Sequence, residues 1–220
     1  MPVKLNKLQC LTLTAMLGAI ITVLTFTPLG FPQIPLIGSA TVIHIPVIIG
    51  AIIMGPKYGA MLGFLFGLSS MIFASTQSVA LNRFAFTPVH PVPGTDSGSP
   101  ISILIAFGPR ILVGIVAALV FIGLVKLIPK IPKAVAAAIA AGAASMTNTL
   151  LVLHLLYFIF RDQWSYARAG AGNPDPQITY AFIASTIAGF GVPEAIAAII
   201  IVPAICVAIF AVAKRMPQKQ

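Results

Sequence analysis

The sequence predicts an all-α integral membrane protein, a six-transmembrane-helix bundle with both termini in the cytoplasm. Three observations carry that prediction. Hydrophobic residues make up 59% of the chain and charged residues only 8%, with a mean hydropathy of +1.04, where a soluble domain carries roughly a quarter charged residues. The apolar residues come in long unbroken runs rather than ten-residue alternations, which selects helices over a β-barrel. The basic residues stand singly at the ends of those runs and divide unequally between two faces, which orients the bundle.

Six apolar stretches cover residues 8–29, 40–54, 58–74, 101–125, 134–160 and 192–213. A spanning helix needs about 20 residues, at a rise of about 1.5 Å over about 30 Å of hydrocarbon. The first, fourth, fifth and sixth meet that length. The second and third are shorter, either thin spans or a re-entrant hairpin turning at residues 55–59, and in both cases an even number of crossings. A further run, 178–190, follows the breaker Asn173-Pro174-Asp175-Pro176. It would reach only about 20 Å as a helix. Crossing alone it would carry Lys214, Arg215 and Lys219 outside, so it is expected to be a half-helix or lid near the outer face.

With six crossings, nine basic residues gather on one side: Lys4, Lys7, Lys57, Lys126, Lys130, Lys133, Lys214, Arg215 and Lys219. The opposite loops hold Arg83, Arg161 and Arg168 beside Asp96, Asp162 and Asp175. The richer side is the cytoplasmic one. The same scatter excludes a nucleic-acid reading of the net charge of +9, since no basic stripe with interleaved aromatics exists. The first run, preceded by Lys4 and Lys7, is too long for a signal-peptide core and ends in no small-residue cleavage site, so it is expected to remain in place. Cys10 and Cys206 lie singly inside apolar runs and read as inert buried thiols, with no disulfide framework and no metal-ligand spacing. No metal and no cofactor is expected. The chain reads as one membrane-embedded domain, residues 1–220.

The cytoplasmic turns are short, whereas the outer loops 30–39, 75–100 and 161–177 are long and rich in proline and aromatics. Loops of that kind are lids or disorder, and three on one face suggest a covered, outward-facing site. Ionisable and amide groups at membrane depth are the candidates for that site, because each is costly in lipid unless paired or solvated. Arg110 follows Gly108-Pro109 inside the fourth run. Proline bends the helix and frees a carbonyl there, and an arginine fork suits a carboxylate or phosphate. The competing role is a structural pair with Glu194 or with backbone carbonyls. Glu194, after Pro193, reads as a helix-start acid. Asn148, between Thr147 and Thr149 in the fifth run, either glues helices or reads a ligand. His44 lies next to Pro46, and a lone histidine of this kind is more often a hydrogen-bonded core residue than a proton relay. His154 reads as interfacial, and Tyr157, Trp164, Tyr166 and Phe86 as belt aromatics or lid anchors. With Gln33 of the first outer loop, Arg110, Asn148, His44 and Glu194 form the candidate substrate-binding set.

Small residues recur at four-residue spacing, Ala15 and Ala19 beside Gly18 in the first run, and Gly59, Gly63 and Gly67 in the third. Such faces let helices approach closely. No GxxxxGK[ST] phosphate loop, HExxH, GxSxG or intramembrane carboxylate pair is present, so nothing here hydrolyses ATP or couples protons. No inverted repeat points to a secondary transporter.

The run TVIHIPVIIGAIIMGPKYGAMLGFLFGL, residues 41–68, with PRILVG at 109–114 and TAMLGAI at 14–20, resembles the substrate-binding (S) components of energy-coupling factor (ECF) vitamin transporters. The resemblance covers nearly the whole chain. It implies a non-enzymatic, multi-pass subunit of the bacterial plasma membrane. Its partners would be a transmembrane coupling subunit, met by Ala15, Ala19 and Gly18, and two ABC ATPase subunits. It also implies a vitamin site near the outer face, under the loop joining the first two helices, with contributions from helices four to six. TPLGF followed by His-Ile-Pro is most similar to pantothenate-type components. Pantothenate is a carboxylate with two hydroxyls and an amide, for which Arg110 and Asn148 are sensible readers. The long 75–100 loop also fits a larger vitamin such as cobalamin. A stand-alone transporter or channel, or an intramembrane enzyme built on Ser69, Ser70, Ser145 and the histidines, are the other classes. The first would need coupling residues, and the second a spacing that unites a nucleophile with a base.

The charge asymmetry gives a direct expectation. Cysteines placed at Lys130 and Lys219 should resist a membrane-impermeant thiol reagent in intact cells, and one placed at Ser97 should label. Labelling at Lys219 from outside overturns the six-crossing arrangement.

Overall fold

The computed structural model describes residues 5–30, 33–34, 38–39, 41–77, 82–173 and 175–215, with backbone alone for 33–34, 38–39 and 213–215. The expectations for Lys4 and Lys219, and most of those for the 30–39 loop, lie outside the described residues. The chain folds as helices α1 (Lys7–Thr25), α2 (His44–Met54), α3 (Pro56–Thr76), α4 (Ile101–Leu127), α5 (Lys133–Gly170), α6 (Tyr180–Thr186) and α7 (Val192–Arg215). A two-residue antiparallel pair, Gln33–Ile34 with Gly38–Ser39, is the one extended feature among the described residues. Five helical segments are long and apolar enough to cross a membrane, the last being Tyr180–Val212.

Local chemistry sets the helix ends. Asn6 and Gln9 form a reciprocal capping box before α1, at 2.8 and 2.9 Å. α1 stops at Thr25, short of the apolar run's end at Leu29, because Pro28 disfavours helix in the residue before it. Gly55, at φ 95°, makes the tight turn between α2 and α3, and Pro56 occupies the first turn of α3.

α2 is the centre of the bundle. All of its 11 residues are buried, and it touches α1, α3, α4, α5 and α7. An all-round apolar helix is a buried helix, and at about 16 Å its helical part alone is shorter than the hydrocarbon core. α3 has 21 residues and satisfies the length.

The glycine stripe of α3 has a definite partner. A Cβ on Gly59 would sit 2.6 Å from the Gly114 carbonyl oxygen, and one on Gly67 would sit 2.9 Å from that of Ala106. Gly63 meets the carbonyl of Arg110 more closely still, and Gly114 in turn meets the backbone of Gly59. α3 and α4 thus run antiparallel with their backbones in contact along this seam.

Two expectations are corrected. Residues 161–170 belong to α5, which has 38 residues and kinks at Phe160 (φ −126°, ψ 20°). The polar sequence there reads as a loop, but tertiary packing overrides it. Trp164 stacks edge-on to Phe182 at 5.6 Å, Arg168 lies over the same ring at 4.4 Å, and the Ile178 N–H donates to Ser165 Oγ at 2.9 Å. Likewise residues 180–190 are not a separate half-helix or lid. α6 passes through a π-helical turn, Ile187–Gly191, straight into α7. The wide turn suits Pro193, which has no N–H to give an α-helical ladder.

The loop after α3 is folded down onto the bundle over residues 82–100. Its 3-10 turn, Arg83–Phe86, is pinned by the Ser102 hydroxyl donating to the Phe84 carbonyl at 2.8 Å. Ser75 and Thr87 hydroxyls bond at 2.6 Å, and His90 Nε2 lies 3.1 Å from the Ser75 carbonyl. Phe84, Ala85 and Val92 join Ile105, Leu156, Phe160 and Ile183 in an apolar cluster distinct from the larger one around α2.

The seam yields a stability expectation. Gly63→Ala should destabilise the purified protein by about 1–3 kcal/mol, because a methyl group must push two helix backbones apart. Gly123→Ala, where a Cβ meets nothing within 4 Å, should leave stability unchanged or raise it, as alanine favours helix over glycine. Equal melting temperatures for the two variants contradict the seam.

Candidate functional site

Between the two apolar clusters lies a polar layer. Along α4, Ile105 belongs to one cluster and Val113 to the other, with Arg110 between. Along α5, Ala144 and Leu153 flank Ser145, Asn148 and Thr149 in the same way. In the last helical stretch, Ile183 and Ala198 flank Glu194. Arg110 is 8% exposed, Asn148 9% and Glu194 8%, with His44 and Ser145 at 1%.

Pro109 explains how Arg110 is held. A proline leaves the carbonyl four residues back without its helical donor, and here that carbonyl is Ile105. Arg110 Nη1 donates to it at 2.8 Å. The guanidinium carbon lies 4.9 Å from the centroid of Phe86 and 5.5 Å from that of Phe66, contacts in which an aromatic face attracts a cation. Nε of Arg110 has no partner. Of the two structural roles expected for Arg110, the backbone carbonyl is engaged and the pair with Glu194 is not made. Glu194 is near enough to feel the charge, but its oxygens are used elsewhere.

Glu194 Oε1 accepts from the Thr41 N–H at 2.6 Å, and Oε2 lies 3.5 Å from the Thr149 hydroxyl. Glu194 therefore does not cap a helix start. The Val192 N–H already bonds the Ile187 carbonyl, so the backbone ladder runs through. The acid instead ties the entry of α2 to α5 and α7. Gly191 permits this, since a Cβ there would lie 3.3 Å from Thr149 Cβ and nearly as close to its hydroxyl.

Asn148 faces the interior with its Oδ1 unpartnered. Neither ring nitrogen of His44 completes a hydrogen bond of good geometry, although the Thr41 backbone lies against the ring. Among the described residues no hydrogen bond joins Arg110, Asn148 and His44 to one another. Glu194 and the His44 ring both meet the Thr41 backbone, Thr149 beside Asn148 reaches Glu194, and Arg110 is near enough to feel the Glu194 charge. For Gln33 only the backbone, paired with Ser39, is described. The sequence reading missed Thr41 and Thr149 as the partners of Glu194 and Phe66 as a platform for Arg110. Phe86, read as a belt aromatic or a lid anchor, lies against the Arg110 guanidinium. His154 and Tyr157 gather around Tyr180, with ring centroids 5.9 Å from it, and Tyr166 is exposed as a belt residue would be.

On the outside of α1, Ala15 and Ala19 are exposed. Gly18 is not part of that stripe, since it is buried against Leu65 of α3. A groove of about 400 Å³ between α1, α2 and α7, lined by Leu17, Ile45, Ile49 and Ile201 among others, is wholly apolar and offers nothing to a water-soluble ligand.

A buried, incompletely satisfied polar layer inside a helical membrane bundle is what a membrane-embedded solute-binding protein requires. The family model described as ECF transporter, substrate-specific component, matches residues 9–206, and the chain belongs to that family. It is a multi-pass bacterial membrane protein whose family role is to supply substrate specificity to an ECF module rather than to catalyse a reaction. It is 34% identical over 165 residues to the pantothenic acid transporter PanT of Lactococcus lactis subsp. cremoris (strain MG1363), an alignment covering 74% of this chain and 80% of that protein.

Proposed function

We propose that this chain captures pantothenate at the polar layer and delivers it through an ECF importer, with ATP hydrolysed by two separate ABC ATPase subunits. The observation that carries the reading is Arg110, a permanent charge at membrane depth that among the described residues donates from Nη1 and finds no partner for Nε. A carboxylate is the natural complement of that fork. The PanT relative supports pantothenate among carboxylate vitamins. Asn148, His44 and Glu194 complete the binding set from α5, α2 and α7, and Gln33 adds to it from the first outer loop. The length of the 75–100 loop, which would also suit cobalamin, is accounted for by its packing onto α4 and α5, so the smaller ligand is preferred.

In this reading α2 counts as the sixth crossing, both termini are cytoplasmic, residues 1–220 form one binding domain, and the outer loops 30–39 and 75–100 close over the ligand. Because α6 and α7 are continuous, residues 178–190 add no crossing and the count stays even. The exposed Ala15 and Ala19 meet the transmembrane coupling subunit.

Two experiments test it. Arg110→Ala should weaken pantothenate binding to the purified protein by about 2–5 kcal/mol, at least some thirtyfold. Arg110→Lys should recover little, because a point charge does not replace the fork. Folded Arg110→Ala protein with unchanged affinity by calorimetry rules Arg110 out as a ligand contact. Separately, Ala15→Trp or Ala19→Trp should abolish uptake by cells while leaving pantothenate binding to the isolated protein intact. Uptake that survives both substitutions removes the docking role of α1.

A further inference from the structure

Building on the pantothenate reading, we infer that Ser145 and the Asn148 carboxamide oxygen form a two-point rung that reads the hydroxyl groups of the ligand. Arg110 then sets the requirement for an acid, and the rung sets the requirement for a hydroxylated one. Ser145 and Asn148 stand three residues apart on α5, hence on one face with a rise of about 4.5 Å between them. Both Ser145 Oγ and Asn148 Oδ1 are shut from solvent and have no hydrogen-bond partner among the described residues.

The state of Ser145 is unusual for this protein. A hydroxyl in a lipid-embedded helix has a partner at hand, the carbonyl four residues back. Thr14 donates to Cys10 at 2.8 Å, Thr25 to Ile21 at 2.8 Å and Ser165 to Arg161 at 2.9 Å. Thr147, two residues along the same helix, donates to Ala143 at 2.8 Å. Thr149 reaches Glu194 instead. Ser145 is the one hydroxyl among the described residues that is wholly buried and makes no bond, although a rotation about χ1 offers it the Ala141 carbonyl. A buried hydroxyl left this way is a standing penalty, which a ligand group in the polar layer removes.

The atoms also define what they accept. A carboxamide oxygen accepts only, so it requires an O–H or N–H from the ligand, while a serine hydroxyl serves either way. The side chains of the neighbouring Ala141 and Ala144 contribute no competing polar group. A chain carrying an acid at one end and hydroxyls with an amide at the other matches Arg110 and the rung together. Sites that hydrogen-bond a substrate hydroxyl discriminate strongly against analogues lacking it, because the protein's polar groups are then left unpaired.

The test uses two probes on the purified full chain, pantothenate and its analogue with both hydroxyls replaced by hydrogen. The wild-type protein should prefer pantothenate by about a hundredfold or more. Ser145→Ala should lose at least about tenfold in affinity for pantothenate, keep its affinity for the analogue, and melt no earlier than wild type without ligand. Thr147→Ala, whose hydroxyl serves its own helix, should behave as wild type with both probes. A Ser145→Ala protein that keeps the wild-type preference, or that weakens both probes equally, overturns the rung while the Arg110 reading stands. A wild-type protein that does not bind pantothenate overturns both.

Discussion

The contact between the backbones of α3 and α4 decides where everything else can be. Gly59, Gly63 and Gly67 let α3 lie directly on the carbonyls of Gly114, Arg110 and Ala106. In hydrocarbon there is no hydrophobic drive to bring helices together, so close packing of small residues takes its place. The middle contact of the seam is with the backbone of Arg110 itself. The depth and direction of the one charged side chain on α4's buried face are therefore fixed by glycine spacing on its neighbour, and α2 is held in the wedge behind them.

Fixing Arg110 creates the second problem, a cation inside an apolar bundle. Part of the cost is offset locally, by the carbonyl that Pro109 releases and by two phenyl faces. Glu194 offsets little of it directly, since its oxygens hold Thr41 and Thr149. The layer is thus stabilised enough to fold and left short of full satisfaction on Arg110, Asn148, Ser145 and His44. Incompletely paired polar groups in a core usually count against a structure. Placed between the two apolar clusters on neighbouring helices, they are the groups on which the proposed binding site rests.

Much of this was legible in the sequence. Composition and run length gave the helical membrane bundle, and Gly108-Pro109-Arg110 announced a bent helix with a charge at its bend. The glycine stripe was visible as a packing face, but its partner was not, because small-residue spacing says nothing about what lies opposite. Residues 161–170 were misread since their arginines, aspartate and glutamine look like a solvated loop, and only the packing of Trp164, Ser165 and Arg168 on the α6 side makes them helix. Residues 178–190 were set apart because so short a run cannot span alone and a seventh crossing would carry the C-terminal basic residues outside. A π turn instead joins residues 180–190 to the last helix. Ser145 was seen only as an improbable nucleophile, for a serine among alanines carries no signal until its neighbours' hydroxyls are seen to be occupied.

The helices are strongly unequal in length. Tyr180–Val212 counts 33 residues against 11 in α2, or about 50 Å against about 16 Å of rise. A hydrocarbon slab about 30 Å thick cannot match both. The long elements, α5 with its 38 residues among them, must lean, kink or stretch the surrounding lipid, while the short one is shielded from lipid by its five neighbours and feels no such demand. Bilayer thickness thus acts on this protein through its ring of long helices and leaves its centre untouched.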